Sequence, residues 1–468
     1  MLFPTLRFGL FFLALFAAAW IVRKPNEWRK IILLVASWIF YGAWDWRFVT
    51  LLIFSGVLNW GCAQLIARTT GPRRRRALVT LGVVANLGIL IWFKYFDFFL
   101  GQVADGLRLL GWQRDLPVIQ VILPIGLSFF TFQGMSYLID VYRGKLQAAN
   151  LLNVTLLMSF FAHLVAGPIV RGADLIPQFE RSPDLSREAA SLGILMIVWG
   201  LFKKAILASE LATGLVDPVF FDPNAHSAVD LIAATYGYAV QIYADFSAYS
   251  DMAIGLAALL GYRFPRNFDQ PYRSISLQDF WRRWHISLSS WLRDYLYIPL
   301  GGSRGNVWFI CRNLMITMLL GGLWHGAAWK FVTWGALHGV ALCTERIWAH
   351  YKPANWPNAP KILGLIVTFN LVCLAWIFFR ADSFQTAMTF IQGFGRWDDS
   401  ALAFTPMALV LILFGLGLHF SPPRLIETVA FRAARLPAAV FGLGAGALIL
   451  IIDAMRPEGV QAFIYFQF

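Results

Sequence analysis

Two histidines stand within stretches whose other residues are mostly apolar or aromatic. His325 lies in GGLWHGAAW, and His285 lies in FWRRWHISLSSW. A neutral imidazole accepts a proton from a hydroxyl group near pH 7, which is the general-base step of an acyl transfer. Because an ionisable side chain is costly in a membrane segment, we interpret His325 as a functional residue and His285 as its candidate partner.

A structural role is the alternative for each buried histidine, namely a neutral imidazole that hydrogen-bonds a neighbouring helix. We assign this role to His338 and His419 and leave His163 undecided. His338 follows His325 by thirteen positions, about 220° around one helix, so we expect the two side chains on different faces. The chain has no H-E-x-x-H and no G-x-S-x-G motif, so it predicts neither a zinc-protease site nor a serine hydrolase.

The elements that must hold these histidines are membrane helices. Of the 468 residues, 58% are hydrophobic and 14% are charged, whereas about a quarter of a soluble domain is charged. Apolar runs of about 20 residues recur, and we expect about 10 to 12 of them to span a bilayer in an all-α fold. The candidates lie near 5–22, 31–46, 48–67, 77–96, 117–139, 149–169, 188–208, 228–245, 307–322, 326–346, 361–379, 402–420 and 437–453.

The net charge of +13 indicates topology, and we exclude nucleic-acid binding. Lys and Arg occur in short clusters between apolar runs, at 23–30, 68–76 and 202–204, as the positive-inside rule predicts for cytoplasmic loops. We therefore expect loops 23–30 and 68–76 to face the cytoplasm. The four cysteines lie far apart in the sequence and suggest neither a disulfide framework nor a metal site.

Two regions do not fit a simple span. Gly and Pro interrupt the apolar run before residues 171–188, which predicts a re-entrant or broken segment. Residues 280–298 predict an amphipathic helix along the membrane surface, with His285 on the border of its faces. At 100° per residue its apolar stripe contains Trp281, Trp284, Leu288, Trp291 and Tyr295, and its polar stripe contains Arg283, Ser287, Ser290, Asp294 and Tyr297.

The stretches around the two histidines, GYRFPRNFDQPYRSISLQDFWRRWHISLSSWLRDYLYIPLGGSRG and GGLWHGAAWKFVTWGALHG, resemble signature blocks of the membrane-bound O-acyltransferase family. They are similar to its bacterial branch that O-acetylates polysaccharides such as alginate and cellulose. LPIGLSFFTFQGMSYLIDVYRG, LVAGPIVRG, YADFSAYSDMAIG and WIFFRAD agree with this resemblance, which covers residues from about 90 to 382.

The resemblance implies one integral-membrane domain over residues 1–468, with interfacial and re-entrant helices around a tunnel, in the bacterial inner membrane. It implies that His325 and His285 are catalytic and that acetyl-CoA, a substrate, donates the acetyl group, with no metal and no tightly bound cofactor. It also implies a periplasmic acetyltransferase partner and a polysaccharide synthase or secretion complex. The start of the chain departs from the alginate members, which favours a cellulose-type polymer.

Further residues are candidates for substrate binding. Arginines could attract the phosphates of coenzyme A, although contact with anionic membrane lipids is an equal alternative. The full set is Trp324, Trp284, Arg282, Arg283, Arg293, Asp294 and Asn267.

Two other classes of function stay open from the sequence. A transporter or flippase for a polysaccharide or lipid precursor would also have many spans and a central histidine, although no inverted repeat of broken helices is evident. A structural scaffold in a secretion complex would leave both histidines incidental, and substitution of His325 would separate it from an enzyme.

Overall fold

The computed structural model describes residues 3–22, 26–112, 121–165, 167–357, 359–398, 400–457 and Phe463. Within these residues the regular secondary structure is helical, with no strand, so the predicted all-α class is confirmed. The chain forms two compact units, residues 1–189 with 256–264 and residues 190–255 with 265–468. The single functional domain and its tunnel stay predictions.

Nine α-helices among the described residues lie wholly in the first unit. They are α1 (Leu6–Ile21), α2 (Asn26–Asp45), α3 (Val49–Arg68), α4 (Pro72–Leu90), α5 (Phe96–Leu109), α6 (Leu127–Tyr142), α7 (Leu151–Ser159), α8 (Phe161–Leu164) and α9 (Gly172–Phe179). Between α8 and α9 the described residues 167–170 are buried without regular structure, which confirms the predicted break there.

The first basic cluster is only partly a loop. Residues 23–25 lie outside the described residues, whereas α2 begins at Asn26 and contains Arg29 and Lys30, both almost fully buried. The Arg29 guanidinium donates to the carbonyl oxygens of Ala19 and Leu260, at 3.1 and 2.5 Å, and to the Tyr262 hydroxyl at 2.6 Å. The prediction that residues 23–30 form a loop is therefore wrong for Arg29 and Lys30, which lie buried in α2. The predicted loop 68–76 is confirmed only for residues 69–71, because α3 ends at Arg68 and α4 begins at Pro72.

Helices α10–α22 follow. They are α10 (Arg187–Phe202), α11 (Ser209–Leu211), α12 (Asp217–Phe221), α13 (Ala228–Leu259), α14 (Leu277–Arg283), α15 (Ile286–Leu292), α16 (Val307–His325), α17 (Trp329–Tyr351), α18 (Lys361–Arg380), α19 (Phe384–Gln392), α20 (Pro406–Gly417), α21 (Leu425–Ala433) and α22 (Ala438–Met455). Single π-helical turns lie at Lys203–Ala208, Ala212–Val216 and Arg293–Tyr297.

The cluster at 202–204 is not a loop. Lys203 and Lys204 lie in a π-helical turn after α10, and both side chains are buried. Lys203 Nζ lies 2.7 Å from Asp251, and Lys204 Nζ lies 2.9 Å from Asp245, both on α13. The prediction of a cytoplasmic basic loop here is wrong, because each cation is buried against a carboxylate.

Six helical segments in the described residues are long and apolar enough to cross a membrane, or seven if the bent pair α20–α21 forms one span. Two of them, 26–68 and 72–109, contain 43 and 38 residues, more than the about 20 residues of one crossing. The multi-pass class is confirmed, whereas the predicted count of 10 to 12 exceeds the number of segments that meet these criteria.

Helices α16 and α17 form a tightly packed hairpin. A Cβ added at Gly322 would overlap the carbonyl oxygen of Phe331, and one at Gly335 would overlap that of Met318. These glycines let the two backbones touch, as small residues do in membrane helix pairs. The hairpin therefore fixes the end of α16 against the start of α17.

The predicted continuous helix over 280–298 is wrong. The chain forms two short helices, α14 and α15, separated at Trp284 and His285. His285 has a φ of 43°, a left-handed conformation that cannot continue a right-handed helix. The apolar stripe is nevertheless the buried side, since Trp284, Leu288, Trp291 and Tyr295 are all buried. Its position along the membrane surface stays a prediction.

Candidate active site

His325 is the last residue of α16 and is held by aromatic rings. Its ring centroid lies 4.9 Å from Trp324, 4.9 Å from Trp334 and 5.1 Å from Phe379, each in edge-to-face geometry. The side chain is buried at 4% exposure. Trp334 and Phe379 come from α17 and α18, so three helices fix the orientation of this imidazole.

The turn between α16 and α17 is closely packed, and this packing places the aromatic rings around His325. Gly326 follows His325 and lies against the Phe331 ring, where a larger residue would clash. Lys330 Nζ donates to the carbonyl oxygen of Ala381 at 2.6 Å, which ties the start of α17 to the end of α18. The Phe331 ring in turn lies 5.1 Å from Phe379.

His285 caps the start of α15 and is completely buried, which corrects the predicted position on a helix border. Its Nδ1 accepts the backbone N–H of Leu288 at 3.1 Å. Because a backbone N–H can only donate, the proton of a neutral imidazole must be on Nε2. Nε2 is buried and has no hydrogen-bond partner among the described residues.

The surroundings of His285 keep it neutral. It lies between α14 and α15, outside the candidate membrane spans. Burial lowers the pKa of His285 to about 3. At neutral pH the group is therefore an uncharged hydrogen-bond donor through Nε2.

Trp324 contacts both histidines. Its ring centroid lies 6.2 Å from His285 and 4.9 Å from His325. His285 also contacts Phe246 of α13 at 4.6 Å, and Phe246 contacts Phe463 at 5.8 Å. The structure thus brings the predicted residues His285, Trp324 and His325 together.

Asn267 and Trp284 contact the segments that surround His285. The Asn267 side chain accepts from the Ser287 N–H and hydroxyl, at 3.2 and 2.8 Å, and donates to the Ser250 hydroxyl at 3.0 Å. It therefore joins the first turn of α15 to α13. Trp284 is buried, with Trp376 at 5.0 Å and Phe268 at 5.1 Å.

The predicted phosphate-binding residues differ in their availability. Arg293 binds the adjacent Asp294 with Nε at 2.7 Å from a carboxylate oxygen, and Arg283 binds Asp279 at 2.9 Å. Arg282 is exposed. A guanidinium already paired with a carboxylate attracts a phosphate less strongly, so Arg282 is the best placed of the three.

Sequence reasoning missed the rings of Trp334, Phe379 and Phe246. It also misplaced His338, because it treated His325 and His338 as residues of one helix. The two lie on different helices of the α16–α17 hairpin, and both contact Trp334, at 4.9 and 4.7 Å. The Gly and Ala residues after His325 indicate a helix end. This signal could have placed His325 and His338 on different helices.

The fold and site define a multi-pass, all-helical membrane protein that buries two neighbouring imidazoles among aromatic rings. Such an arrangement suits proton transfer and hydrogen bonding to an acyl group in a place that excludes water. The chain belongs to the membrane-bound O-acyltransferase (MBOAT) family, whose model matches residues 125–384. It is therefore a membrane O-acyltransferase.

Relatives with assigned activities cover most of the chain. It is 41% identical over 384 residues to the probable alginate O-acetylase AlgI of Pseudomonas aeruginosa, covering 78% of this chain and 72% of that protein. It is 37% identical over 364 residues to the peptidoglycan O-acetyltransferase of Helicobacter pylori, covering 72% and 68%. A teichoic acid D-alanyltransferase of Streptococcus thermophilus is 27% identical over 285 residues, covering 54% and 68%.

Proposed function

We propose that this protein moves acetyl groups from cytoplasmic acetyl-CoA across the bacterial inner membrane for the O-acetylation of an exopolysaccharide. The observation that carries the proposal is the buried pair His285 and His325, both in contact with the ring of Trp324. The two imidazoles supply different functions, because His285 is fixed as an Nε2–H donor.

In the proposed reaction, His325 acts as the base and His285 as the donor. His325 takes the proton of the acceptor hydroxyl as its oxygen attacks the thioester carbonyl carbon. The Nε2–H of His285 donates to the carbonyl oxygen, which becomes negative in the tetrahedral intermediate. The C–S bond then breaks, and the thiolate takes the proton from His325, so that ester and free thiol leave with no net proton change.

The names of the relatives support a polymer outside the cytoplasm as the final acceptor. The names of the three relatives refer to alginate, peptidoglycan and teichoic acid. We propose an alginate- or cellulose-type exopolysaccharide, reached through a periplasmic acetyltransferase partner and the polysaccharide synthase or secretion complex. Peptidoglycan is the competing acceptor, because the Helicobacter relative matches nearly as well.

Acetyl transfer in proteoliposomes tests the reaction. The purified protein is reconstituted into vesicles, and acetyl-CoA with a radiolabelled acetyl group is supplied on the side that carries residues 69–71, between α3 and α4. The release of free thiol and the formation of labelled product are both measured. We expect His325→Gln to lower the rate about 10²- to 10⁴-fold, because glutamine keeps hydrogen bonding but cannot act as a base. His350→Gln, the same change at an exposed residue of α17, is the matched control and should keep the full rate.

The outcome separates the classes of function. A transporter would move label without thioester cleavage, and a scaffold would keep its cellular function in the His325→Gln strain. Either result would contradict the proposal. Acetyl content measured separately on secreted polymer and on peptidoglycan, in a strain that lacks this protein, identifies the acceptor: a loss from peptidoglycan alone would exclude the exopolysaccharide.

A further inference from the structure

A third buried histidine, His338, lies among aromatic residues of α14 and α17. Its ring centroid lies 4.7 Å from Trp334, 5.3 Å from Trp281 and 6.1 Å from Phe280. Trp334 also contacts His325 at 4.9 Å. We call His338, Trp281 and Trp334 the indole–imidazole cluster. It begins beside the catalytic candidate and extends toward α14.

The cluster is built by a fixed contact between two helices. Trp334, His338 and Glu345 follow one another at spacings of four and seven residues, which places them on one face of α17. The Glu345 carboxylate accepts the backbone N–H groups of Leu277, at 2.5 Å, and Gln278, at 3.2 Å. Because these groups belong to the first turn of α14, Glu345 holds α14 and its Trp281 against this face.

The polar atoms of the cluster lack hydrogen bonds. Within the described part of the chain, both ring nitrogens of His338 and the indole nitrogens of Trp281 and Trp334 are buried without a partner. A neutral imidazole has one N–H and one acceptor nitrogen, so the cluster offers three donors and one acceptor. A buried polar group without a partner is costly, so a ligand with matching groups would be favoured here.

We propose that the indole–imidazole cluster binds an amide group in the pantetheine arm of the thioester donor. The inference rests on the proposed function, in which acetyl-CoA is the donor. An amide oxygen accepts hydrogen bonds from N–H groups, and an amide N–H donates one, which matches what the cluster offers. The cluster would then set the preference for donors that carry such an arm.

The order of the residues agrees with the order of groups in the donor. From His325 the contacts lead to Trp334, then to His338 and Trp281, and the next residue after Trp281 is the exposed Arg282. In acetyl-CoA the thioester is followed by the pantetheine amides and then by the phosphates. The amides would therefore reach the cluster when the thioester is at His325 and the phosphates are at Arg282.

Two acetyl donors test this assignment. S-acetylpantetheine has both amides and no nucleotide, and S-ethyl thioacetate has no amide. We expect His338→Phe and Trp281→Phe each to lower the ratio of kcat/KM for S-acetylpantetheine over S-ethyl thioacetate about tenfold, mainly through KM, which corresponds to about 1.4 kcal/mol. Trp348→Phe makes the same change at an exposed tryptophan of α17 and should leave the ratio unchanged.

Each result decides the assignment. An equal loss with both donors would show that the cluster only packs the fold, and an unchanged ratio would show that contacts between the rings, or water, satisfy its N–H groups. Either result overturns the proposal. If His338→Phe is not recovered as a monodisperse protein, Trp281→Phe, which leaves His338 in place, decides. If wild-type protein cleaves neither acetyl-CoA nor S-acetylpantetheine, the proposed function fails, and this subsite fails with it.

Discussion

At the scale of single residues, His285 has two hydrogen-bonding atoms with two different tasks. Nδ1 caps α15 by accepting the Leu288 N–H, and Nε2–H remains as a donor. Asparagine is a good N-cap, tolerates the left-handed conformation that His285 adopts at φ 43°, and has an N–H₂ donor. The side chain of alanine has neither a cap acceptor nor a donor.

We therefore expect His285→Asn to fold normally and to keep a measurable rate of acetyl transfer. His285→Ala should lose about 1 kcal/mol of stability from the missing cap and about 10²- to 10³-fold in kcat from the missing donor. Thermal unfolding in detergent and the acetyl-transfer assay measure the two effects. Equal activity of the two variants would contradict the donor role.

The neutral state of His285 also predicts a pH dependence of stability. Burial lowers its pKa to about 3, whereas an exposed histidine has a pKa of about 6.5. Between these values the unfolded chain binds a proton that the folded chain does not, so stability falls as pH decreases from about 6.5 toward 3. The unfolding temperature of wild type should therefore fall more steeply than that of His285→Asn between pH 7 and 5. Parallel curves would contradict this linkage.

Arg282 is the arginine whose charge we expect to act on the donor. Arg282→Gln should raise the KM for acetyl-CoA several-fold, because a phosphate contact made by a charged group is lost. Its effect should be absent with S-acetylpantetheine, which has no nucleotide phosphates, and should shrink at high salt. Arg293→Gln is the matched control, since Arg293 already binds Asp294. Equal effects of both substitutions on KM would favour binding of lipid headgroups by the whole basic surface.

At the scale of elements, the α16–α17 hairpin determines where His325 lies. The added methyl group in Gly335→Ala would overlap the carbonyl oxygen of Met318, so the two helices must separate. We expect a destabilisation of about 1 to 3 kcal/mol, as is typical of overpacking, with a loss of activity at temperatures where the protein is still folded. Unfolding curves and acetyl transfer measure this.

A glycine in open space provides the control for the hairpin. Gly444 of α22 has no atom within 4 Å of an added Cβ, so Gly444→Ala should leave stability and activity nearly unchanged. If Gly335→Ala behaves like Gly444→Ala, close approach of the two helices is not what holds His325 in place.

At the scale of the whole molecule, we predict the orientation in the membrane from the basic residues near 68–76. Helix α3 has 20 residues, so it extends about 30 Å and can carry the chain across a bilayer. We expect Thr70→Cys to be protected from a membrane-impermeant maleimide in intact cells, and Trp46→Cys, at the other end of α3, to be labelled. Both positions are exposed on the protein. Labelling of Thr70→Cys from outside would reverse the predicted orientation.

The sequence alone determined the class of this protein. Long apolar runs and a low content of charged residues require helices that satisfy their own backbone hydrogen bonds in lipid, so the all-helical membrane fold followed from composition. A histidine in such a setting is unusual enough to be noticed without a structure, and the stretches around His285 and His325 carry the resemblance to the family. These features are local in the sequence, which is why they can be interpreted without knowing which helices meet.

Only the tertiary structure decided which groups work together. The break at His285, the hairpin that brings His338 and His325 to the same Trp334, and the pairing of Lys203 and Lys204 with carboxylates of α13 each depend on residues distant in sequence. Periodicity assumes that a helix continues, and charge counting assumes that a cation meets solvent. Packing overrules both assumptions, because burial changes which backbone conformation and which partner are most stable for the same side chain.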